Sequence, residues 1–118
     1  MVVAYYTEND LIGDIRKQAV NIMGETIYFP LRKMKLKGIR IEAIERLKYC
    51  IVLDKLGLPI TVDFLAHLTQ SKETTTIQAL HILGDKKVLT LTRGSSDYSY
   101  RWYLSSQFKD AMTGETLG

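Results

Sequence analysis

The sequence predicts an α+β fold that is mainly α: a three-helix core closed by a β-hairpin and preceded by an N-terminal helical extension. Three observations carry that expectation. Apolar residues recur at three- and four-residue steps in segments 8–23, 39–55 and 71–83, the signature of helices with one buried face. Two short β-branched or aromatic runs, 87–93 and 98–105, flank the polar turn Gly94-Ser95-Ser96-Asp97, as a hairpin requires. Finally, 118 residues with 46% hydrophobic content suffice for one core without disulfides or a structural metal.

The first helix is expected over residues 8–23. Thr7 is its N-cap, and Asp10 completes a short relative of the capping box. Leu11, Ile12, Ile15, Ala19, Val20 and Met23 line one face, Asp14, Arg16, Lys17 and Gln18 stay wet, and Gly24 ends the run. Segment 25–38 reads as a loop with a short strand. Thr26-Ile27-Tyr28-Phe29 looks extended, Pro30 disfavours helix before it, and Leu31, Met34 and Leu36 alternate with Arg32, Lys33, Lys35 and Lys37. With Arg40 these make five positive side chains in nine residues and no acid.

Helix 39–55 follows, with Ile41, Ile44, Leu47, Ile51, Val52 and Leu56 on its stripe and Glu42, Glu45, Arg46 and Lys48 off it. Gly57 supplies a left-handed stop, and Pro59 prevents resumption. Thr61 caps a short helix over 62–68 that carries Phe64, Leu65 and Leu68, and Thr69-Gln70 turns the chain. Ser71 caps a helix from Lys72 to Leu83. Ile77, Ala79, Leu80 and Leu83 pack inward, Lys72, Thr74, Thr75, Gln78 and His81 lie outside, and Gly84-Asp85 breaks it. In the last strand Tyr98, Tyr100, Trp102 and Leu104 share one face and Ser99, Arg101 and Tyr103 the other. Trp102 and Leu104 suit the core, whereas Tyr98, nearer the tip, suits either core packing or stacking on bases. Residues 107–118 read as a frayed tail.

Charge is close to balanced, 16 Lys+Arg against 13 Asp+Glu for a net +3, which permits a polyanionic partner without demanding one. The single cysteine, Cys50, lies in an apolar run and reads as a small core hydrophobe. The first six residues lack a basic region and a long apolar run, and no segment approaches the roughly 20 apolar residues of a membrane span. A soluble, reducing, cytoplasmic setting with no membrane partner is therefore expected. No Gly-rich phosphate loop, HExxH, GxSxG or CxxC occurs, and His67 and His81 lie 14 residues apart on different helices. Neither enzyme chemistry nor a metal or cofactor is expected.

Helix, short helix, turn, polar-faced helix and hairpin, in that order, resemble the winged helix-turn-helix superfamily. Leu58-Pro59-Ile60-Thr61-Val62-Asp63-Phe64-Leu65-Ala66 looks like its short first helix of the turn. Residues 71–83, Ser71-Lys72-Glu73-Thr74-Thr75-Thr76-Ile77-Gln78-Ala79-Leu80-His81-Ile82-Leu83, resemble its recognition helix, and Asp85-Lys86-Lys87-Val88-Leu89 its exit into the wing. Where the family often has Gly in the turn, this chain carries Thr69-Gln70. The resemblance implies three regions: 1–38, an N-terminal helix and basic connector that is a candidate dimerisation element; 39–105, the winged domain; and 106–118, a tail.

It also implies a homodimeric transcriptional regulator that reads double-stranded DNA. A major groove about 12 Å wide admits one helix, in which Gln78 suits adenine and Thr74 and Thr75 suit a thymine methyl or a phosphate. The amides after Ser71 favour an anion, while Lys72, Lys86, Lys87, Arg93 and Arg101 are candidates for phosphate. A rival expectation comes from the balance over residues 58–118, six basic against six acidic. It is a protein-binding adaptor or inhibitor that uses the hairpin edge or the first helix and leaves DNA alone.

Overall fold

A computed structural model describes residues 7–93 and 100–113. The fold is α+β and mainly α. In chain order the described elements are α1 Glu8–Val20, α2 Gly24–Lys33, α3 Ile41–Leu56, α4 Val62–Thr69, α5 Glu73–Asp85, β1 Leu89–Arg93, β2 Tyr100–Leu104 and α6 Ser106–Met112.

Thr7 starts α1 as expected: its Oγ1 accepts the Asp10 N–H at 3.0 Å, and the Asp10 carboxylate accepts the Thr7 N–H at 3.2 Å. The helix stops at Val20 rather than at Met23, because Met23 becomes the N-cap of a second helix. Ile12, Ile15 and Ala19 are buried against α3 and α4. That packing takes up much of the face expected to be free for dimerisation, and leaves Val20 and Met23 each 73% exposed.

Segment 25–38 is the clearest departure from the sequence reading. In place of a loop with a strand, Gly24–Lys33 is helical with Pro30 inside it. Ile27, Pro30 and Leu31 are buried at helical spacing, against neighbours that include α6 and α3. Proline cannot donate to the carbonyl four residues back, and that residue, Thr26, is exposed. Burial therefore outweighs a penalty of about 3 kcal/mol for a mid-helix proline. Met34 and Leu36 pack on the core, and Arg32, Lys33, Lys35 and Lys37 face solvent. Arg32 pairs with Glu25, and the Lys33 ammonium lies 5.6 Å from the Phe29 ring centre.

Helix α3 is the spine, touching α1, α4, α5 and β2. Ala43, Ile44, Leu47, Cys50, Val52 and Leu53 are buried, while Ile41, expected on the stripe, is exposed. Burial pushes the Cys50 thiol up to about 12. Gly57 ends the helix at φ 73°, in the left-handed region, and Leu58 N–H closes back on the Leu53 carbonyl at 2.9 Å.

Strands β1 and β2 are antiparallel, with Leu89 opposite Leu104 and Leu91 opposite Trp102. Ile60, just before α4, forms a further antiparallel bridge to Trp102, whose N–H donates to the Ile60 carbonyl at 2.9 Å. Trp102 and Leu104 are buried as expected. The turn Gly94-Ser95-Ser96-Asp97, Tyr98 and Ser99 lie outside the described residues, as do the side chains of Arg93 and Tyr100.

The expected tail is corrected too. Ser105 caps α6 by accepting the Phe108 N–H at 3.0 Å, and Phe108 is fully buried. Helix α6 packs against α2. Phe108 and Ala111 are the buried residues of this otherwise exposed helix, and Met112 packs beside them on the core.

Candidate nucleic-acid interface

The polar-faced helix α5 begins one residue later than expected, and its cap differs. Lys72 is the N-cap and makes no side-chain cap bond. Ser71 instead joins a chain of hydroxyls. Its Oγ lies 2.7 Å from Thr69 Oγ1 and 3.1 Å from Thr76 Oγ1, and Thr76 Oγ1 donates to the Lys72 carbonyl at 3.1 Å. Gln70 takes the left-handed conformation at φ 53°, the one that glycine adopts most easily. The hydroxyl chain thus ties the end of α4 to the first turn of α5.

The buried face of α5 is Thr76, Ala79, Leu80 and Leu83. Ile77, expected inside, is 38% exposed. Thr76 takes the inner position because its hydroxyl is fully satisfied there, so burial costs little. This arrangement leaves Lys72, Thr74, Thr75, Gln78 and His81 exposed, as the sequence reading expected. Thr74, Thr75 and Gln78 share a face at three- and four-residue spacing.

Gly84 does not break α5; the helix passes through it to Asp85. A Cβ at this position would meet Trp102 Cζ3 at 3.0 Å, so the glycine lets the hairpin close onto the helix. The His81 ring meets the Trp102 ring edge-on at 5.4 Å. Lys86 and Lys87 follow at the far end of α5, both exposed, with Lys87 left-handed at φ 66°. Arg101 is exposed on β2, and Arg93 is the last residue of β1. Ser71 alone among the candidates with described side chains is half-buried, and its hydroxyl is spent on internal bonds.

The charges here are mixed. Glu73, in the first turn of α5, has its carboxyl pushed above the usual range by a hydrogen bond with Asp63 and by the repulsion of that same carboxylate. Asp63 sits in the first turn of α4, so an acid pair spans the starts of both helices. Among the described residues no group of three His, Cys, Asp or Glu is placed to hold a metal ion, and no helix is long and apolar enough to cross a membrane.

The sequence reading placed Arg46 on the solvated side of α3, yet it is 7% exposed. The signal was there: residues 43, 46, 47, 50 and 53 form one helical face, four of them apolar. Comparisons with protein-family models, with curated proteins and with solved structures each found nothing that matches this chain.

Proposed function

We propose that this chain is a sequence-specific double-stranded DNA-binding protein of winged helix-turn-helix build, acting as a homodimeric transcriptional regulator. The observation that carries this reading is the exposed polar row of α5, Lys72, Thr74, Thr75 and Gln78, on a helix propped by a hairpin. In this reading α3, α4 and α5 form the three-helix core, Ile60 adds a short third strand position, and the hairpin is the wing. Gln78 suits adenine and the threonines suit a thymine methyl, while Lys72, Lys86, Lys87 and Arg101 suit phosphate. Two copies reading half-sites roughly 34 Å apart would multiply the information read. Val20 and Met23 are the apolar residues beside α1 left free for that contact.

Selection of bound sequences from a random duplex pool tests this reading. It expects an enriched motif, and log affinity falling with log salt at about 0.9 per phosphate for roughly 3 to 5 phosphates per protomer. Gln78→Ala relaxes preference at one base position. Lys87→Asn, chosen because Asn tolerates the left-handed backbone, weakens all sequences alike. No enrichment and a flat salt response would refute it.

A protein-binding adaptor is the second reading. The exposed Ile77 and Leu91, and the Asp63–Glu73 pair that repels phosphate, favour it. Passage straight through a heparin column supports the adaptor; retention supports nucleic acid.

A further inference from the structure

The basic stretch that closes α2 and leads into α3 takes no part in base reading by α5, and all of its cations are in water. No acidic residue occurs between Glu25 and Glu42, and Arg32, Lys33, Lys35, Lys37 and Arg40 are exposed. Arg32 pairs with Glu25 and Lys33 lies over Phe29. Among the described residues, Lys35, Lys37 and Arg40 have no carboxylate within ion-pair distance.

Two of these three stand where the fold gains nothing from a cation. Helices α2 and α3 end in the same hydrogen-bonded motif. Lys35 N–H donates to the Arg32 carbonyl and Leu36 N–H to that of Leu31, both at 2.9 Å, just as Gly57 and Leu58 donate to Asp54 and Leu53 at 3.1 and 2.9 Å. The left-handed residue of this motif is glycine in α3 but Lys35, at φ 62°, in α2, where a side chain costs conformational energy. Arg40 is the N-cap of α3 and makes no side-chain cap bond, whereas Thr7, Thr61 and Ser105 cap their helices by accepting an amide. A cation there also meets the positive end of the helix dipole. Lys87, left-handed after α5, and Lys72, the bare N-cap of α5, repeat both arrangements on the surface proposed to meet phosphate.

We infer that Lys35, Lys37 and Arg40 form a second surface for duplex DNA, one that holds the phosphate backbone without reading sequence. This rests on the DNA-binding reading for its partner but not on base contacts by α5: α2 has α6 and α3 among its neighbours, while α5 lies against α3, α4 and β1. Between Pro30 and Ile41 no hydroxyl or amide side chain is available to address a base edge. Met34, Leu36 and Ile39 pack on the core, so the stretch offers a membrane no apolar face of its own. A row of cations without directional partners matches the continuous charge of a duplex, one phosphate per about 1.7 Å of axis, better than a discrete carboxylate on a peptide.

The test follows binding of a fluorescent duplex of arbitrary sequence as salt is varied. Lys35→Gly and Arg40→Ser give each position a residue its local geometry prefers, so the double variant is expected to keep or raise Tm. It is expected to bind at least about tenfold more weakly at about 0.1 M salt, with the slope of log affinity against log salt reduced by about 0.9 for each cation removed. Lys17→Gln with Lys55→Gln removes the same charge from exposed positions on α1 and α3, and is expected to lose less than about threefold because distant charges are screened. In the unaltered chain, acetylation of Lys35 and Lys37, read by mass spectrometry, is expected to slow when duplex is present, a readout that needs no variant to fold. An unchanged slope in the double variant, an equal loss in the control pair, or no protection of Lys35 and Lys37 would each overturn the inference. So would tighter binding to phosphatidylserine vesicles or to polyglutamate than to duplex. Gln78→Ala separates this surface from α5, since it alters base preference and leaves affinity for the arbitrary duplex within about twofold. A selected motif with no effect of the double variant would refute this surface alone; the double variant's loss with no selected motif would refute base reading by α5 alone.

Discussion

Gly84→Ala probes the contact that sets the hairpin against α5. The new methyl would stand 3.0 Å from Trp102 Cζ3 and 3.5 Å from Cη2, against an ordinary carbon–carbon contact of about 3.5–4.0 Å. The ring must therefore retreat by about 0.5 Å or more. It has little room, because Trp102 is 5% exposed and its backbone is bonded to Ile60 at 2.9 Å. Overpacking of this kind costs about 1–3 kcal/mol. Alanine's helix propensity returns at most about 1 kcal/mol, and less here because Gly84 is the penultimate residue of α5. The net expectation is a loss of about 1–2 kcal/mol, or a Tm lower by roughly 3–8 °C for a chain of this size.

Thermal unfolding followed by circular dichroism reads the shift, and Trp102→Phe completes a double-mutant cycle. Phenylalanine lacks the outer ring, so Gly84→Ala in that background is expected to lose at least half its penalty. A rise in Tm for Gly84→Ala alone, or no coupling to Trp102, would refute the packing of β2 on α5.

Phe108→Ala is expected to cost about 3–5 kcal/mol in chemical denaturation, since its ring is fully buried in α6; a neutral result would restore the view of this segment as a tail. Cys50 is expected to resist a thiol reagent such as DTNB in the native protein and to react only on unfolding, because burial holds the thiol near 12. Rapid labelling under native conditions contradicts this. Glu73 has a folded-state pKa raised above its ordinary 4.5 by Asp63. Its stabilising contribution is therefore complete below the unfolded pKa and lost as pH rises through the raised folded value. Glu73→Gln is expected to flatten that part of a Tm-against-pH curve and, under the DNA-binding reading, to tighten duplex binding by removing an acid beside the phosphates. An unchanged pH profile would mean that the Asp63–Glu73 interaction is absent in solution.

Much of the fold was legible because its signals are local. Thr7 and Thr61 cap the helices they were expected to cap, Gly57 adopts the left-handed stop, and Trp102 and Leu104 turn inward by strand alternation. What misled the reading was local inference applied where a distant partner decides. Pro30 argues for a break on its own, yet α6 supplies a surface against which residues 24–33 gain more as a helix. Ser71 has the chemistry of a cap, but Thr69 and Thr76 compete for its hydroxyl and win.

The sequence by itself determined the element types between residues 39 and 93, the order of helices and strands there, and the polar face of 71–83. Periodicity, capping and turn chemistry act over a few residues and need no knowledge of the rest of the chain. Tertiary structure decided that α6 packs against α2, that Gly84 is a clearance for Trp102 rather than a helix stop, and that Arg46 lies buried. Those outcomes depend on which surfaces meet, and contact between residues far apart in the chain is set by the whole packing rather than by any one segment.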